Sequence, residues 1–241
     1  MNVKVKYILP LAIVIFFISV VGVNAQMENL RADYDSKLAT YDQAKTDYLK
    51  LKNLSSTDSQ RVEGARKVLV TSLDSVNAYM NMFKSKLDSI KPAEGEGSIG
   101  NLSDKYIQLT GLDRKIQDAK SLDDLKKCLT DTKTFWQEVV DSCKYVQSRY
   151  MLFQTNEAYL KLNQVATELD SFVDSEELKN AKNSLTSSNT EFTNYYSQML
   201  KKSQSDMNSS YADLQSNVTK YSKVLGDTEA SLAKVIQKAS E

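Results

Sequence analysis

At 241 residues, with 31 basic and 31 acidic side chains, the chain carries no formal charge. The charges form no basic block or stripe, which argues against nucleic acid or an anionic membrane surface as partner. Apolar residues make up 41 % of the chain and recur periodically, which argues against intrinsic disorder.

The first residues differ from all that follow. Lys4 and Lys6 precede an apolar run from Tyr7 to Val23, and Val23-Asn24-Ala25 supplies the small residues that signal peptidase needs. The expectation is a secretory signal peptide over residues 1–25 with Gln26 as the mature start. The alternative is an uncleaved N-terminal membrane anchor through residues 7–23. In either case the positive charge before the run, and Glu28 and Asp33 after it, place the remainder outside the cytoplasm: secreted, periplasmic or at the cell surface. Without Lys4 and Lys6 there are 29 basic side chains against 31 acidic, a formal charge of −2.

From Gln26, the spacing Leu30, Tyr34, Leu38, Tyr41, Tyr48, Leu51 describes one helical face ending near Asn53, with Tyr34, Tyr41 and Tyr48 a heptad apart. Thr57 and Gln60 have capping-box spacing and open a second helix. Its stripe advances in steps of three or four through Val62, Ala65, Leu69, Leu73, Val76, Met80, Phe83, Leu87 and Ile90. The short connection makes residues 26–91 an antiparallel helical hairpin. Residues 92–101 hold Pro92, Gly95, Gly97 and Gly100 and read as a linker.

Leu102, Tyr106, Leu109, Leu112 and Ile116 mark a shorter third helix. A break is expected between Ala119 and Leu125, where the apolar steps change and Ser121 can cap. A long fourth helix then presents Leu122, Leu125, Leu129, Trp136, Val139, Cys143, Val146, Tyr150 and Phe153, and its stripe shifts onto Ala158, Leu162, Val165, Leu169 and Phe172. Asp174, with Glu176 and Glu177, reads as the cap and acidic first turn of a fifth helix reaching Leu225. Lys201 to Asp206 leaves a polar gap in that helix, and Gly226-Asp227 is a candidate break. Two matched arms make residues 102–241 a short helix plus a long helical hairpin, packed with 26–91 as one domain. The expected fold is all-α: an elongated antiparallel helical bundle or coiled-coil rod, three to four helices in cross-section, without sheet.

No histidine is present. That removes Ser-His-Asp and Cys-His nucleophilic sites, imidazole bases, most zinc sites and the Glu-x-x-His di-iron motif. Calcium-loop, P-loop and GxGxxG patterns are also missing. Glu157 with Glu168 is a formal carboxylate pair without a companion motif, and each reads as a solvated surface group. The Tyr34, Tyr41, Tyr48 ladder could offer a sugar or ligand platform, but rings packed on the seam with wet hydroxyls explain it more simply, and Trp136 reads as core. Asn53, Asn101, Asn208 and Asn217 begin glycosylation sequons, of which Asn53 and Asn101 fall at expected loops. Cys128 and Cys143 lie about 22 Å apart on one helix, too far for a disulfide, and read as two buried thiols.

No catalytic, cofactor-binding or metal-binding residues are therefore expected. The function class is an exported, non-catalytic structural or protein-interaction bundle whose partner is another protein or a copy of itself. The alternative is an extracytoplasmic small-ligand-binding bundle. A pocket of roughly 300 Å³ or more with apolar walls and a few convergent polar groups would favour the second, and a filled seam the first.

Overall fold

The computed structural model describes residues 5–53, 56–88 and 92–240, with most side chains from Glu28 onward. The side chains of the expected signal or anchor, residues 1–25, lie outside the described set. Seven helices and no strand occur among the described residues: α1 (Val5–Asn53), α2 (Asp58–Asp88), α3 (Pro92–Asp118), α4 (Leu122–Asp170), α5 (Glu176–Leu200), α6 (Gln204–Ser209) and α7 (Tyr211–Ser240). The protein is all-α, and its helices pack on one another. From Glu28 onward no described helix is long and apolar enough to cross a membrane.

Local chemistry sets several helix starts. Thr57 and Gln60 form the expected reciprocal box: Thr57 N donates to Gln60 Oε1 at 2.9 Å and Gln60 N to Thr57 Oγ1 at 3.3 Å. Asp124 N donates to Ser121 Oγ at 3.1 Å, which starts α4 where the stripe changes step. At α5 the cap is Ser175, whose hydroxyl accepts from Leu178 N at 3.2 Å, and not Asp174. Asp174 instead pairs with Lys179 at 2.6 Å, which holds its carboxyl below the usual range. Extended backbone at Ser175 (φ −134°) aims a hydroxyl at the free amides.

Two expectations are corrected. Residues 92–101 are the opening turns of α3 and not a linker. Pro92 is its first residue, where a missing N–H has no intrahelical partner to lose, and each following glycine costs only about 1 kcal/mol against Ala. The fifth helix is not one arm to Leu225. It stops at Leu200, restarts as α6 behind the Ser203 cap, and turns again at Ser210. Gly226, where a break was also considered, lies inside an unbroken α7.

The chain divides into two compact units, one holding Ile8–Val146 and the other built on Gln147–Glu241, with α4 contributing to both. In the first unit Tyr34 of α1 meets Tyr79 of α2 at 5.4 Å, while Gly64 faces Leu51 and Tyr48. Later residues of α2 thus meet earlier residues of α1, so the two helices are antiparallel. α3 runs back along α2, with Arg66 donating to Ala119 O at one end and Tyr106 to Asn81 at the other. Lys115–Asp131 and Lys105–Glu138 tie α3 to α4 in the same antiparallel sense.

Leu73, Val76, Met80, Leu102, Ile116, Leu125 and Val139 fill the seam. Each such side chain contributes roughly 1.5–3 kcal/mol on burial. The α4 stripe differs from the sequence reading at several points: Phe135 is buried where Trp136 is expected, and Phe172 is exposed. Leu125, Cys128, Thr132, Phe135 and Val139 face inward, whereas Leu129 is 40 % exposed. These inward residues keep strict three-four spacing, and Cys128 and Thr132 are small enough to sit under neighbouring helices.

In the second unit the later half of α4 packs on α5 through Tyr159, whose hydroxyl bonds Ser188, and through Lys182–Asp170 at 2.5 Å. α5 and α7 are tied by Lys220–Glu191 at 3.0 Å and Lys238–Glu177 at 2.6 Å, again antiparallel. Phe192 is fully buried between Tyr159 (5.1 Å) and Tyr221 (5.2 Å). The later part of α4, α5 and α7 therefore make a three-helix arrangement with α6 at its turn.

Candidate functional site

The break after α5 opens a concavity between α5 and α7. Lys201 to Ser203 have no apolar side chain to bury, so the chain leaves the α5 axis there. Lys202 Nζ crosses to Ser210 Oγ at 2.5 Å and ties the far side of the turn. Between the end of α5 and the start of α7 opens a groove of about 340 Å³, lined by Tyr195, Gln198, Met199, Lys202, Ser210, Asp213, Ser216 and Asn217. The Tyr195 hydroxyl is buried beside Asn217 without a hydrogen bond of normal geometry, and the Asn217 amide donates to Asp213 O at 2.9 Å. Burial is the main cause that pushes the Tyr195 phenol up from its ordinary value, and nearby Tyr221 adds to it.

A second groove of about 310 Å³ lies further along the same pair, between Glu177, Asn180, Ala181 and Ser184 of α5 and Asp227, Thr228, Ser231 and Lys234 of α7. Glu177, Ser184 and Gln198 fall at multiples of seven residues on α5, as do Asp213, Asp227 and Lys234 on α7. Both grooves therefore open on one side of the α5–α7 pair. Most of the side chains that line them are polar, with Tyr195 and Met199 in the first and Ala181 in the second, and both are shallow valleys between antiparallel helices. The size expected of a ligand pocket is reached, but the apolar lining is not.

The residues marked in the sequence are placed as follows. Glu157 and Glu168 are 11 residues apart on α4, about 16 Å along the axis, beyond the reach of any paired-carboxylate chemistry. Glu168 is exposed and accepts from Gln164. Tyr34 leans on Tyr79, and Tyr48 lies against Gly64, so two rungs of the ladder are used in packing α1 on α2. Trp136 meets Tyr79 at 5.3 Å in a tilted ring contact as part of the same seam.

Cys128 and Cys143 are both free and buried, and burial raises the Cys128 thiol above its ordinary value. Asn101 lies within α3 and not in a loop, and Asn217 is half-buried in α7 with its amide engaged. Among the described residues no group of His, Cys, Asp and Glu is arranged to hold a metal.

Reading apolar periodicity alone missed the α5–α7 valley. Its signal was present in the sequence as a charged heptad, Asp213, Lys220, Asp227 and Lys234. No known protein family, curated protein or solved structure matches this chain.

Proposed function

We propose that this is an exported, non-catalytic helical-bundle protein with a structural or protein-interaction role at or outside the cell surface. The observation that carries the reading is the contrast between filled and open surfaces. Apolar side chains fill the seams between helices, while the two grooves are shallow and lined mostly by polar and charged side chains. Polar valleys of this kind suit a wet protein contact better than a desolvated small molecule. Export rests on the Lys-flanked run from Tyr7 to Val23 and the small residues before Gln26.

Proximity labelling of the native protein in its own cells tests this. The expected outcome is enrichment of an extracytoplasmic protein or of the chain itself; enrichment of cytoplasmic proteins alone would sink the reading.

One observation favours the ligand-binding alternative, namely the unbonded Tyr195 hydroxyl at the wall of the 340 Å³ groove. A small molecule that co-purifies with the native protein and leaves on Tyr195→Phe substitution would support it.

A further inference from the structure

We propose that α7 is the self-association surface of this protein, and that it pairs antiparallel with α7 of a second copy. The proposal rests on the interaction role above and names its partner. Asp213, Lys220, Asp227 and Lys234 stand exactly one heptad apart and alternate in sign. They form one exposed edge of α7 along the α5–α7 valley, about 32 Å long. Among the described residues Lys220 is the only one of the four with a counter-ion, Glu191 at 3.0 Å. Asp213, Asp227 and Lys234 form no ion pair among the described residues, although α5 runs beside them.

The pattern distinguishes between partners. Two copies of α7 related by a two-fold axis near Val224 place Asp213 opposite Lys234 of the second copy, and Lys220 opposite its Asp227. All four charges of each edge are matched, and the contact is closed and isologous. A parallel pair in register sets like charge on like. A parallel pair displaced by one heptad leaves an unmatched charge at each end and does not close. Charge pairs at helix edges select orientation in this way while adding little affinity each. Ser216 and Ser231, small and on the valley side, allow the second helix to come close, and Val224 is a half-buried apolar residue beside the axis.

The test uses the full chain carrying single cysteines, since the native thiols are buried. Val224→Cys should give a covalent dimer on non-reducing electrophoresis. Ser231→Cys alone should not, because its two copies would lie about 22 Å apart along the axis. A mixture of Ser216→Cys and Ser231→Cys chains should cross-link to each other. In sedimentation at low salt, Lys234→Asp should raise the dimer dissociation constant about tenfold, since two pairs become repulsive. The double variant Asp213→Lys/Lys234→Asp should restore it, a recovery that a misfolded variant would not show.

A monomeric Val224→Cys chain, or Ser231→Cys linking to itself as well as Val224→Cys does, overturns the antiparallel pairing. If the chain is monomeric but proximity labelling still captures a different extracytoplasmic protein, the α7 pairing fails and the interaction role stands.

Discussion

Burial decides what individual side chains can do here. Tyr106 donates to Asn81 Oδ1 at 2.8 Å in the first unit, and its phenol is pushed up to about 12, chiefly by burial. A raised phenol pKa means that the folded chain holds its proton where the unfolded chain has lost it. The stability contributed by Tyr106 is therefore fully present below about pH 10 and is lost as pH rises from there toward 12. Alkaline titration followed by tyrosinate absorbance should show Tyr106 ionising at a higher pH than free tyrosine. Tyr106→Phe should flatten the loss of stability over that interval, and an unchanged alkaline profile would contradict the assignment.

The thiols follow the same logic. Cys128 is desolvated and Cys143 has no exposed surface, so neither presents a thiolate to solvent. Thiol reagents should label neither in native protein and both after denaturation, with no change in electrophoretic mass on reduction. The sequence made the separation of these cysteines legible. It did not reveal that Cys128 occupies the inner face in place of Leu129.

At the scale of helices, glycine has opposite meanings at different positions. A methyl at Gly226 or Gly111 meets nothing within 4 Å, so neither glycine serves close packing. Gly226→Ala and Gly111→Ala should each stabilise the protein by roughly 0.5–1 kcal/mol, through lower unfolded-chain entropy and better helix propensity. A methyl at Gly64 would sit 2.8 Å from Leu51 Cδ1 and 3.2 Å from Tyr48 Cδ2. Gly64→Val should therefore wedge α1 from α2 and cost roughly 1–3 kcal/mol. Thermal unfolding of the three variants checks the contrast, and a stabilising Gly64→Val would refute the close α1–α2 approach. The caps at Thr57 and Ser121 were legible because they depend on residues three apart in the chain. The Ser175 cap was missed by one position because Asp174 and Ser175 are both good caps, and Lys179 draws Asp174 away.

For the whole molecule, the all-α architecture rests on helices whose ends and inner faces are largely specified locally, while the function proposed above depends on a proposed export that the amino terminus can test. Mass spectrometry of native protein should find Gln26 at its amino terminus. Intact Met1 in the membrane fraction would favour the anchor through residues 7–23. The candidate site was only partly legible. The absence of histidine restricted the chemistry at once, but the α5–α7 valley exists only because the chain doubles back after Leu200.

The sequence by itself determined the helical class, the caps at Thr57 and Ser121 and the inner face of α2 from Leu69 to Phe83. These depend on periodicity and on side chain–backbone bonds within one turn. The tertiary structure decided where the chain reverses and which faces are covered. The polar stretch from Lys201 to Asp206 is compatible with a solvated helical turn or with a break. The break prevails because it lays α7 back along α5, burying Leu214, Tyr221 and Leu232 and pairing Lys220 with Glu191. Cys128 and Thr132 lie inside and Leu129 outside for the same reason: burial is conferred by neighbouring helices, and a hydropathy pattern along one strand of sequence does not contain them.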